Sequence, residues 1–131
     1  MKIKQVIVVR KDLNMRKGKI AAQSSHASFK VFKDMMDSQW VSDHQKKYSF
    51  TASEDMIEWL DGQFTKICVS VDSEEELMEV YNNAKNAGII SSLIVDAGHT
   101  EFNGVHTKTC CAIGPASSEK IDPITSHLKL L

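Results

Sequence analysis

Apolar side chains run together from Val6 to Val9 near the start of the chain, in "KQVIVVRKDL". A β-branched run of this kind predicts a strand over about residues 4–10, with its centre covered on both faces. The pattern then changes period. From Arg16 or Lys17 to Met36, spacings of three and four place Ile20, Ser24, Ala27, Val31 and Met35 on one inner face, which predicts a helix. Its many small residues, such as Ala21, Ala22 and Ser25, suit close packing on a sheet. Residues 37–52 are polar without a clear period and are expected to form the end of the helix and a loop. "SEDMIEWL", residues 53–60, predicts a short helix capped by Ser53. "FTKICVSV", residues 64–71, predicts the second strand.

"DSEEELMEVYNNAKNAG" is the most legible helix. Ser73 and Glu76 form a capping box, acids fill the first turn, and Gly88 supplies the stop. Leu77, Val80, Tyr81, Ala84 and Ala87 form its apolar stripe. "SSLIVDAG" predicts a strand ending near Asp96, and "TKTCCAIG" one ending near Gly114. Asp122 and Pro123 read as N-cap and first residue of a closing helix. This order gives an α/β plan, with helices on both faces of a mostly parallel sheet.

The length, 131 residues, fits one domain spanning 1–131. Hydrophobic residues at 42% and charged residues at 25% point to an ordinary folded core and exclude a disordered class. No apolar run approaches the roughly 18–20 residues of a bilayer span. The N-terminal stretch reads as a strand rather than a leader, so a cytoplasmic protein is the expectation. Cys68, Cys110 and Cys111 make an odd set. Adjacent strand residues face opposite ways, so Cys110 and Cys111 are poor disulfide partners, and buried reduced thiols are expected. His99, His106 and Cys110 are close in sequence, but no CxxC pair or histidine cluster proposes a metal.

The net charge of −1 conceals a polarity. Residues 1–33 hold nine Lys and Arg against one acid, Asp12, whereas residues 53–79 hold nine acids against one base, Lys66. A local positive field, not the total, is what an anion meets. Three of these cations, Arg16, Lys17 and Lys19, stand where the first long helix begins. The backbone dipole is already positive there, so each like charge costs about 0.3–1 kcal/mol of helix stability. A helix N-terminus surrounded by cations instead suits phosphate.

Ligands of open α/β sheets lie beyond the carboxyl ends of strands. The first strand leads into Asp12–Lys19 and the third into "DAGHT", residues 96–100. If those strands are parallel neighbours, Lys19 and Asp96 share a rim. Each also has an ordinary alternative: Lys19 as a solvated cation, Asp96 as the start of an Asx turn before Ala-Gly. His26 is either a base or a structural group on its helix. There is no GxxxxGK[ST] phosphate loop, no GxGxxG and no GxSxG elbow, so no cofactor is implied.

Three blocks, "VVRKDLNMRKGKIAAQSSHA", "SLIVDAGHTE" and "AIGPASSEKIDPITSHLKLL", resemble the signature blocks of the type II peptidyl-tRNA hydrolases of archaea and eukaryotes. "WLDGQFTKICVSVDSEEEL" is similar to the segment between them, so the resemblance spans nearly the whole chain outside residues 37–55. It implies a three-layer α/β/α fold with a four-stranded mixed sheet. It also implies cleavage of the ester joining a peptide to the terminal ribose of tRNA, with peptidyl-tRNA as partner and a homodimer as assembly. The catalytic residues it implies are Lys19, Asp96, Thr100 and Thr109. Gln23 and His26 match the helical "AQxxHA" pattern, and with Arg16, Lys17 and His99 they are expected to help bind substrate. Two positions depart from the pattern. Arg16 stands where glycine is usual, and His99 replaces a usual Arg or Lys. The competing expectation is a non-catalytic module that binds RNA or protein on the same fold.

Overall fold

The computed structural model describes residues 2–131. Strand β1 (Ile3–Arg10) leads through a single 3-10 turn, Lys11–Leu13, into helix α1 (Lys17–Lys33). A hairpin follows, β2 (Asp37–Trp40) and β3 (Lys46–Ser49), then α2 (Glu54–Asp61), β4 (Lys66–Val71), α3 (Glu74–Asn86) and β5 (Ser91–Asp96). β6 (Thr107–Ser117), α4 (Ser118–Thr125) and the short β7 (Lys129–Leu130) complete the chain. No described helix is long and apolar enough to cross a membrane.

The main sheet has five strands in the order β5-β6-β1-β4-β7. Alternation along β1 divides the core. Ile7 and Val9 face a cluster completed by Ala27, Val31 and Phe32 of α1 and Trp59 of α2. Val6 and Val8 face the other cluster, with Leu77, Val80 and Ala84 of α3 and Ile121 of α4. Helices therefore cover both faces, which accounts for the continuous apolar run in β1.

Three sequence expectations are corrected. The sheet is five-stranded and mostly antiparallel, because only β1 and β4 pair in parallel. A parallel neighbour needs a crossover of a dozen or more residues. The ten-residue loop between β5 and β6 contains no helix, so β6 turns back and pairs antiparallel with both β5 and β1. Residues 37–52 are not simply a loop, since they contain the β2–β3 hairpin. Pro123 lies inside α4, whose N-cap is Ser117; Asp122 instead binds Lys4 Nζ at 2.7 Å.

Local chemistry behaves as expected elsewhere. Ser53 Oγ accepts from Met56 N, and Ser73 Oγ accepts from Glu76 N at 3.0 Å. The Glu76 carboxylate reaches back to Asp72 N at 3.4 Å, one residue before the cap. Gly88, at φ +72°, ends the turn after α3. Cys110 and Cys111 are free and buried, and Cys68 is free and half-buried. Burial pushes the Cys110 thiol up to about 11.

Candidate active site

β5 runs in the same direction as β1 with β6 between them, because two successive antiparallel pairings restore direction. The ends of β1 and β5 thus share one rim of the sheet. α1 starts at that rim, after the chain reverses through Asn14 in a left-handed conformation. Lys19, in the first turn of α1, points across to the end of β5. Its Nζ lies 2.9 Å from Asp96 Oδ1 and 2.8 Å from Thr100 Oγ1. It also lies 5.6 Å from the centre of the Phe102 ring. Both side chains of the pair are largely enclosed, at 12% and 14% exposure.

A second tier sets the carboxylate. Gln23, one helical turn after Lys19 and buried, donates its Nε2 to Asp96 Oδ1 at 3.2 Å. Thr109 is wholly buried on β6, and its hydroxyl donates to Gln23 Oε1. That bond fixes which end of the amide faces Asp96. Gly98 N donates to Asp96 Oδ2 at 2.9 Å, closing an Asx turn. Asp96 therefore makes the ordinary turn and the Lys19 contact at once. Gly98 adopts φ +82°, and an added Cβ would stand 2.6 Å from the Val105 carbonyl oxygen. Only glycine fits that corner without displacing backbone.

The Lys19 ammonium holds the Asp96 carboxyl below the usual carboxylate range, with Gly98 N–H and Gln23 assisting against the opposing effect of partial burial. The carboxylate is thus ionised throughout the neutral range. Unused bonding capacity is well defined. Lys19 has three N–H donors and uses two; Asp96 accepts two bonds at Oδ1 and one at Oδ2, which leaves an Oδ2 lone pair. The Thr100 hydroxyl accepts from Lys19 and keeps its own proton to donate.

Of the expected site residues, Lys19, Asp96, Thr100 and Gln23 converge directly. Thr109 joins them only through Gln23. Arg16 is 86% exposed and places Nε 3.3 Å from Glu101 of the same rim loop. Lys17, His26 and His99 are exposed, and none touches the Lys19–Asp96 pair. Sequence reasoning missed Gly98, Phe102 and Glu101. Gly98 had a signal in "DAG", two residues after an Asx-turn former; the other two had none. The cations of the first segment divide as well. Lys4, Arg10, Arg16, Lys19 and Lys30 have internal carboxylate partners, whereas Lys2, Lys11, Lys17 and Lys33 form no ion pair among the described residues.

An enclosed lysine–aspartate pair with hydroxyl and amide support, beside a cationic helix start, can orient a water at the carboxylate and meet an anion at the ammonium. Residues 3–131 match the family model described as peptidyl-tRNA hydrolase PTH2. The chain is 46% identical over 129 residues to the peptidyl-tRNA hydrolase of Methanothermobacter thermautotrophicus, covering 98% of this chain and 100% of that one. It is 43% identical to the peptidyl-tRNA hydrolase of Methanocaldococcus jannaschii, with the same coverage. A solved structure of a protein of unknown function from Agrobacterium tumefaciens shares the fold at TM-score 0.57 and 12% identity, covering 100% of this chain and 98% of that one. This chain belongs to the PTH2 peptidyl-tRNA hydrolase family.

Proposed function

We propose that the chain is a peptidyl-tRNA hydrolase. It cleaves the ester between peptide and tRNA and recycles tRNA from stalled or aborted translation. The family match over residues 3–131 carries this reading, and the Lys19–Asp96–Thr100 cluster supplies groups suited to the chemistry. The whole of 1–131 works as one catalytic domain, in the cytoplasm, with a homodimer as the expected assembly.

Water attacks the ester carbonyl carbon, the bond from that carbon to the ribose oxygen breaks, and the ribose oxygen takes a proton. Asp96, held ionised, is a weak base, because an unperturbed Asp already titrates near 3.9. Its main work is orientation: the free Oδ2 lone pair holds the attacking water. The third N–H of Lys19 meets the developing oxyanion, and the Thr100 hydroxyl donates beside it. Gln23 and Thr109 are positioning residues, since they act through Asp96. Arg16, Lys17, His26 and His99 surround the rim as substrate contacts, with the unpaired N-terminal cations following the tRNA backbone.

The test is incubation with a peptidyl-tRNA and separation of the products on a gel. Release of free tRNA by the wild type, and its loss in Lys19→Ala and Asp96→Ala proteins that remain folded, is the expected result. Wild-type rates in both variants would remove this mechanism. Binding without turnover would favour the non-catalytic module. Raising salt should weaken tRNA binding in proportion to the phosphates neutralised, and a flat response would discard the backbone contacts.

A further inference from the structure

The β2–β3 hairpin lies outside the main sheet, at the far end of α1 from the Lys19–Asp96 rim. In its register Trp40 opposes Lys46 and Ser38 opposes Tyr48, so these four side chains share one face. Trp40 is 65% exposed and Tyr48 60% exposed. Lys46 Nζ sits 5.3 Å from the centre of the Trp40 ring and 5.4 Å from that of Tyr48. The face continues into an open groove of about 460 Å³, lined by Phe29, Lys33, Met36, Ser38 and Tyr48. It carries no carboxylate. Asp37 belongs to the opposite face, Asp43 is in the turn, and Lys30 holds Asp34 at 2.8 Å.

Two flat exposed rings beside two cations, without a competing acid, form a surface for stacking bases and neutralising phosphates. A protein-docking face would call for a broader apolar centre with fewer cations. We propose that this hairpin face is a second tRNA contact, separate from the ester site. It rests on the reading of peptidyl-tRNA as substrate. From Lys19 to Lys33, α1 advances about 20 Å at 1.5 Å per residue. The hairpin therefore meets the body of the tRNA rather than its ester-bearing end. Trp40 and Tyr48 offer rings to unpaired bases, and Lys33 and Lys46 meet nearby phosphates.

The experiment compares two substrates: full peptidyl-tRNA, and an N-acyl-aminoacyl ester on a short CCA-ended oligonucleotide that cannot reach the hairpin. In the Trp40→Ala/Tyr48→Ala double variant, KM for full peptidyl-tRNA should rise about five- to thirty-fold with kcat unchanged. Both constants for the short substrate should match the wild type. Gln39→Ala, on the opposite face, should change neither substrate. Binding of deacylated tRNA should also quench wild-type tryptophan fluorescence through Trp40, because the other tryptophan, Trp59, is buried. An unchanged KM for full peptidyl-tRNA, in a wild type that hydrolyses it, would overturn the hairpin contact and leave the enzyme reading intact. Unchanged kinetics with a dimer converted to monomer would overturn it in favour of an interface between copies. A wild type that turns over neither substrate would remove both readings together.

Discussion

Two helices of this protein leave the same sheet, yet their first turns are built oppositely. α3 begins with Ser73 as a side-chain cap and carries Glu74, Glu75 and Glu76 in its first turn. α1 begins at Arg16 with no side-chain cap and has no acid in its first turn, only Lys17 and Lys19. Capping and acidic first turns stabilise a helix, whereas cations there oppose its dipole. α3 is thus optimised for its own stability. α1 gives some of that up, and what it gains is an ammonium aimed at Asp96 and an exposed positive end.

The largest break in this comparison comes from removing the ammonium. Lys19→Ala should lower kcat on peptidyl-tRNA by about 10²–10³-fold, read by single-turnover hydrolysis, with a native circular dichroism spectrum. Asp96→Asn keeps the volume but loses the charge, and should fall in the same range. The equivalent change in α3, Ser73→Ala, should leave kcat alone.

Gly98→Ala comes next. A Cβ there meets the backbone of Val105 at a positive φ. The variant should lose about 1–3 kcal/mol in denaturant unfolding and also lower kcat, because the amide that holds Asp96 Oδ2 moves with the loop. Ser73→Ala should cost about 1 kcal/mol of stability. Lys17→Glu should do the reverse, adding about 0.3–1 kcal/mol to the stability of α1 while raising KM for peptidyl-tRNA. If Lys17→Glu destabilised the protein, or left KM unchanged, the contrast between the two helix starts would be lost.

The smallest effect is that of pH. The folded-state pKa of Asp96 is depressed by Lys19, so its contribution to stability is fully present above the unfolded value and disappears as pH falls through the lowered folded value. Near an ordinary Asp value of about 3.9 the wild type should still hold that contribution in part, and Asp96→Asn should lack this acid-side dependence. Urea unfolding between neutral pH and pH about 3 measures the difference.

Much of this was readable in the chain before folding. α2 and α3 carry their caps and stripes locally, so both appear where the pattern placed them. The meeting of Lys19 and Asp96 was foreseeable only on condition that β1 and β5 ran the same way. They do, although the expected parallel neighbour is replaced by an intervening antiparallel β6. Thr109 shows the opposite case. The family resemblance implied a catalytic role for it, and its position on β6 buries it beneath Gln23. The hairpin at residues 37–49 was missed because its strand residues are all exposed and follow no burial alternation, and alternation is the signal by which strands are found. The Asp122–Pro123 pair has the form of a helix start, yet α4 begins at Ser118 and Pro123 lies inside it, past the first turn, where proline forgoes one backbone hydrogen bond.

By itself, the sequence determined α2 and α3 with their caps, the apolar strands, the uneven charge and the residue types of the site, because each depends on neighbours a few positions away. Tertiary structure decided the strand order, the direction of β6, the burial of Thr109 and the 2.9 Å contact between Lys19 and Asp96. Those depend on pairings between residues tens of positions apart. Such pairings are settled only when the whole sheet finds an arrangement that covers both of its faces.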